Sequence, residues 1–116
     1  MRNVVMTMTD SEPQGLRCPF EDPDGPPPGL TRNQLENAYA RMKRGLDETQ
    51  EPRRRFALCM SLCCCCDKLG DFEKAYYYNQ CAKQLRPQDV DVRFNESYLL
   101  GRIRGEIIRR QRALER

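Results

Sequence analysis

The chain has no histidine and no tryptophan among its 116 residues. The first absence removes the commonest general base at neutral pH and the commonest mixed zinc sites, so enzyme chemistry would have to run on cysteine or carboxylates. The acidic pairs Glu36 with Glu48 and Asp71 with Glu73 have no pocket signal beside them, and no catalytic residue is assigned. Long apolar runs are missing too. Mean hydropathy is −0.82, no segment approaches the roughly 20 apolar residues of a membrane helix, and the opening Met1 to Thr7 lacks the apolar core of a secretory signal. The expectation is a soluble, cytoplasmic protein that is not an enzyme and takes no cofactor, metal or small-molecule substrate.

Proline and charge are present, and both are unevenly spread. Residues 1–30 hold Pro13, Pro19, Pro23, Pro26, Pro27 and Pro28, with two basic and five acidic side chains and no sustained apolar period. So little surface can be buried there that ordering is not offset, and residues 1–30 read as a disordered or loosely docked acidic tail. Residues 31–116 then carry eighteen basic against twelve acidic residues, or +6. The arginines and lysines gather at 41–44, at 53–55 and from Arg102 to Arg116. Such patches can meet nucleic acid or an acidic surface. Interspersed glutamates and the lack of a recognisable nucleic-acid module favour solvated helix faces instead.

The remaining pattern predicts four helices. Thr31-Arg32-Asn33-Gln34 has the form of a capping box, and Leu35, Tyr39, Met42 and Leu46 share one face, so a helix is expected over about 32–48. Pro52 suits the start of a second helix, carrying Phe56 to Lys68. Gly70 suits a left-handed stop, and Asp71 can cap a third helix that ends before Pro87. Asp89 or Asp91 can cap a last helix, 90–114, on which Phe94, Tyr98, Ile103, Ile107 and Leu114 read as an apolar stripe.

The stretch 56–89 resembles the tetratricopeptide repeat. That family places W-x-x-L-G-x-x-Y, then A-x-x-x-F, then P on a period of about 34 residues. The matching positions here hold Cys59, Leu62, Cys63, Cys66, Ala75, Asn79 and Pro87. Spacing is kept throughout, whereas only Leu62, Ala75 and Pro87 match in identity. Cys59 and Asn79 stand where large aromatics are usual, which implies a smaller core at those points unless neighbours refill it. The runs Arg55-Phe56-Ala57-Leu58, Asp67 to Tyr76 and Asn79 to Arg86 are further similar to the last repeats of proteins in which a tetratricopeptide array precedes a sulfotransferase domain. No phosphate-binding loop follows them, so no catalytic residue of that family is carried over.

Seven cysteines, four of them contiguous from Cys63 to Cys66, raise the question of metal or redox chemistry. Neighbours on a helix point about 100° apart, so four adjacent thiols cannot converge on one ion without unwinding it. Cys59, Cys63 and Cys66 share the face of Leu62, which favours packing, with Cys64 or Cys65 expected to face outward. Metal binding with Cys81 as a fourth ligand, lipidation and redox sensing remain as alternatives. Disulfides are not expected. Asn95-Glu96-Ser97 matches a glycosylation sequon, read here as a chance match on a helix. Of Tyr76, Tyr77 and Tyr78, one or two should be buried and the third exposed.

These readings combine into an all-α, tetratricopeptide-like domain that acts as a protein-interaction or scaffolding module. The resemblance implies an inner groove lined by Ala57, Met60, Ser61, Cys64, Asp67 and Lys68. One repeat leaves apolar faces that a longer array would cover. Ile103 and Ile107 are therefore expected to dock on a protein partner or a second copy. The alternatives are an accessory piece of a sulfotransferase-like protein and a basic binder of nucleic acid or acidic surfaces.

Overall fold

The computed structural model describes residues 16–17 and 30–115. The described residues form four helices and no strand: α1 Arg32–Glu48, α2 Pro52–Lys68, α3 Phe72–Leu85 and α4 Val90–Leu114. Packing follows chain order. α2 and α3 share the most extensive contact, and α1 lies on α2 as α4 lies on α3. Apart from residues 16 and 17, the expected tail lies outside the described residues.

Each helix starts at a side chain that accepts from one of its free N–H groups. Thr31 Oγ1 accepts from the Gln34 N–H at 3.1 Å while Gln34 Oε1 accepts from the Thr31 N–H at 2.9 Å, completing the capping box of α1. Glu51 caps α2, its carboxylate accepting from the Arg54 N–H at 3.0 Å, with Pro52 at the first helical position. At the other end of α1, the Arg55 guanidinium donates to the carbonyls of Leu46 and Thr49, both at 2.9 Å. A cation there satisfies carbonyls that have no partner within their own helix and complements the negative end of the helix dipole.

The α2–α3 junction compresses two helix ends into three residues. Gly70 adopts φ +83°, its N–H bonds the Asp67 carbonyl at 3.0 Å, and the Asp71 N–H reaches back to Cys66 at 2.9 Å. This pair of bonds is the Schellman arrangement. Asp71 also opens the next helix, its carboxylate accepting from the Lys74 N–H at 3.1 Å. Two antiparallel neighbours can follow from so short a link only if one residue turns left-handed, which glycine does without a Cβ penalty.

The core runs from Leu46 on α1 through Phe56, Cys59, Met60, Leu62, Cys63 and Cys66 on α2, and Ala75, Tyr78 and Ala82 on α3, to Val92 and Leu99 on α4. The apolar face read on α1 is the packed one, with Leu35 and Leu46 buried and Tyr39 and Met42 against the core. Tyr39 and Tyr78 meet edge to face with centroids 6.1 Å apart, and their hydroxyls hydrogen bond at 2.9 Å. Of the three consecutive tyrosines Tyr78 is buried, Tyr76 half-buried and Tyr77 exposed. Asn79 is fully buried and donates through Nδ2 to the Val92 carbonyl at 2.9 Å, a polar tie between α3 and α4 within the core.

The stripe expected on α4 is not the buried one. Tyr98 to Ile103 is a step of five residues, which turns about 140° around a helix and takes Ile103, Ile107 and Leu114 off the side of Phe94 and Tyr98. The face that enters the core is Val92, Asn95 and Leu99. Phe94, Ile107 and Leu114 are exposed.

Gly70→Val should lower stability by at least about 1 kcal/mol, read as a fall in denaturant midpoint. Nothing lies within 4 Å of a Cβ built at Gly70, so the cost is one of backbone conformation. Gly70→Asn, which tolerates the left-handed region, should cost clearly less; equal costs would place the strain elsewhere.

Candidate interaction surfaces

Of the six positions expected to line an inner groove, the structure closes two. Met60 is 0% exposed and Cys64 8%, so neither presents a surface to a partner. Ala57, Ser61 and Asp67 are half-buried, and only Lys68 is exposed. The reason is that α2 is buried around most of its circumference, so no open wall remains along it.

Asp67 marks the polar end of this face. Burial pushes its carboxyl above the ordinary carboxylate range, with Arg102 and Lys68 pulling the other way. Its Oδ1 is buried with no hydrogen-bond partner. Burial also raises the Tyr98 hydroxyl, and the Asp67 charge adds to that shift. Asp67, Tyr98 and Arg102 thus form an electrostatically linked group spanning α2 and α4.

On α4 the structure joins residues that the sequence left apart. The Asn95 side chain, 0% exposed, accepts through Oδ1 from the Arg17 N–H at 2.8 Å and donates through Nδ2 to the Arg17 carbonyl at 2.9 Å. Both bonds reach the backbone of a single residue 78 positions away. An antiparallel strand offers its partner the same donor and acceptor pair, so the carboxamide stands where a neighbouring strand would. The Arg17 guanidinium lies 4.5 Å from the centroid of Phe94, and Leu16 packs against the core. Of the two states expected for the tail, disordered or loosely docked, these two residues take the docked one, on α4. The sequon reading also closes, because a fully buried Asn95 carboxamide is not available to a glycan.

On the tetratricopeptide resemblance alone, advancing the expected groove positions Met60, Ser61 and Cys64 by a repeat of about 34 residues leads to Phe94, Asn95 and Tyr98, a correspondence that the apolar pattern of α4 does not itself reveal.

Ile103 and Ile107 line a cleft of about 340 Å³ with Arg32, Phe72, Glu106 and Arg110, among others. Arg102 lies 4.4 Å from the centroid of Phe72. Leu100, Ile103, Ile107 and Leu114 fall within about 60° of one another around α4. Ile103 is half-buried, while Leu114 is 86% exposed.

The thiols are packed rather than presented. Cys64 and Cys65 are buried along with Cys63 and Cys66, which corrects the expectation that one of the middle pair faces outward. The Cys65 thiol donates to the Leu35 carbonyl at 3.2 Å, tying α2 to α1. Burial raises the Cys65 thiol, pushes Cys66 up to about 12 and, with Cys81 beside it, Cys59 up to about 11. Thiols so shifted are almost wholly protonated at neutral pH and poor nucleophiles. Among the described residues no group of histidine, cysteine or carboxylate side chains is placed to hold a metal ion, and no helix is long and apolar enough to cross a membrane.

Comparison with protein-family models, curated proteins and solved structures gives no match.

Native alkylation at pH 7.5 should modify half-buried Cys81 well before Cys59, Cys65 and Cys66, as mass spectrometry of digests would record. Rapid uniform labelling of the folded chain would overturn the packing of α2. Burial raises the Asp67 pKa in the folded state. The folded state holds the proton more tightly, so the Asp67 contribution is most favourable below the unfolded value of about 3.9 and worsens as pH rises through the folded value. Asp67→Asn should therefore gain in denaturant midpoint relative to the parent at pH 7, and the gain should shrink at pH 3.5. A difference independent of pH would show that burial of the charge is not its cause.

Proposed function

We propose that this chain is a non-catalytic protein-interaction module of the tetratricopeptide type, in which α2 and α3 form one repeat and α4 begins the next. The tight α2–α3 junction at Gly70 and the one-repeat spacing between the read groove and the Arg17 contacts support that assignment. The observation that carries the functional reading is the uncovered second half of α4. Beyond Leu99 the helix contributes no buried residue, yet Leu100, Ile107, Ile108 and Leu114 are exposed on it. An apolar strip of this kind on a small domain is a contact surface for another chain, as the open end of a repeat stack is. Arg104 and Arg110, one on either side of it around the helix, keep the rim charged and solvated.

Sedimentation of the purified chain should show concentration-dependent self-association, or recovery only with a bound partner. Ile107→Glu together with Leu114→Glu should yield a monomer with unchanged helical circular dichroism; Ile103 is left intact because it is half-buried. A parent chain that sediments as a monomer at about 100 μM, far above ordinary working affinities, would remove this reading of the strip.

A further inference from the structure

The contact between Asn95 and Arg17 has the form of a recognition event rather than of core packing. A buried carboxamide is costly unless both its oxygen and its nitrogen are bonded. Here both are satisfied by the backbone of one residue, at 2.8 and 2.9 Å. Main-chain atoms carry no side-chain identity, so Asn95 selects an extended conformation, as strand addition does at a sheet edge. Identity is read on either side of that clamp. The preceding residue, Leu16, enters the apolar surface, and Arg17 lays its guanidinium over Phe94. Arg17 and Phe94 are both exposed, so the contact sits at the surface and can open without unpacking the helices.

We propose that Asn95 and Phe94 form a peptide-binding site whose present occupant, Leu16–Arg17, is an internal ligand. The external ligand is an extended segment of a partner protein with an apolar residue followed by arginine. The internal segment is joined to α1 by residues 18–29, which include five prolines and three carboxylates. A tether of that length holds the segment at an effective concentration of the order of millimolar, so it suppresses weak ligands and yields to stronger ones. The site therefore carries its own competitive gate. It shares the interaction class proposed above but lies apart from the distal strip of α4, so either proposal can fail alone.

The test uses the full chain and a synthetic peptide of residues 12–21 with Cys18→Ser. Leu16→Asp with Arg17→Glu in the chain should release the internal segment without loss of helical signal, and the Asn95 side-chain amide protons should then exchange faster. The peptide should bind this released chain saturably, shifting the Asn95 amide resonances, and bind the parent about tenfold more weakly. Peptides with Leu16→Asp or Arg17→Glu should lose binding, a control that needs no change in the folded chain. Asn95→Asp, which removes the donor and repels the carbonyl, should abolish binding in the released chain. Three results would overturn the proposal: no resonance shift with millimolar peptide, equal binding of altered and unaltered peptides, or Asn95 amide protection in the parent that rises with protein concentration, since that would place the segment of one copy on another.

Discussion

A helix covered on nearly every side has to be apolar on nearly every side, and α2 meets that requirement with small side chains. Phe56, Cys59, Met60, Leu62 and the four consecutive cysteines are all buried, although a run of four neighbours spans most of a helical turn. Cysteine behaves as a small hydrophobe whose thiol can still make a weak hydrogen bond, as Cys65 does to Leu35. Larger residues at all four positions would force α1 and α3 apart. Serines would bury hydroxyls that each need a partner. The polar residues of α2 accordingly gather at its ends, where Arg55 holds the last carbonyls of α1 and Asp67 approaches Arg102 of α4.

Two asparagines extend this scheme outward. Asn79 and Asn95 both lie on the buried faces of their helices, where an apolar residue would be the simpler choice. Asn79 fixes the first turn of α4 by donating to Val92, and its Oδ1 has no hydrogen-bond partner, a penalty of about 1 kcal/mol or more. What that arrangement sets is register, because the Val92 carbonyl is met in only one seating of α4 on α3. The Lys83–Glu96 ion pair at 2.9 Å lies across the same interface. Asn95, with both amide groups used, faces a segment distant in sequence instead of a neighbouring helix.

The fold was legible because its signals are local. Thr31 with Gln34, Pro52, Gly70 and Asp71 act within a few residues, and each marks a helix end that the structure reproduces. The capping carboxylate of Glu51 escaped notice because glutamate is not among the usual cap residues. Interior and exterior were harder to read. A period of 3.6 distinguishes the faces of a helix with one wet side, whereas α2 has almost none, so Cys64, Cys65 and Met60 gave no warning of burial. On α4 the apolar residues outnumber the places in the core, and the selected face includes Asn95 in preference to isoleucines. Leu16 and Arg17 could not be found locally at all. Their docking depends on a long-range contact that composition alone argues against.

That contact lies near thermal balance. Two hydrogen bonds are worth about 1 kcal/mol each, a cation–π contact at an exposed ring about 0.5–1 kcal/mol, and partial burial of a leucine less than the roughly 1.5–3 kcal/mol of full burial. Ordering two backbone residues costs about 1–2 kcal/mol apiece, and loop closure adds to that. With gain and cost so close, a competitor matching the same three contacts needs only modest extra surface to prevail. Phe94 and the strip of Leu100, Ile107 and Leu114 lie more than about 100° apart around α4. On the two proposals made above, a ligand at the Asn95 end would therefore leave the distal strip open, so that one helix could hold two chains at once.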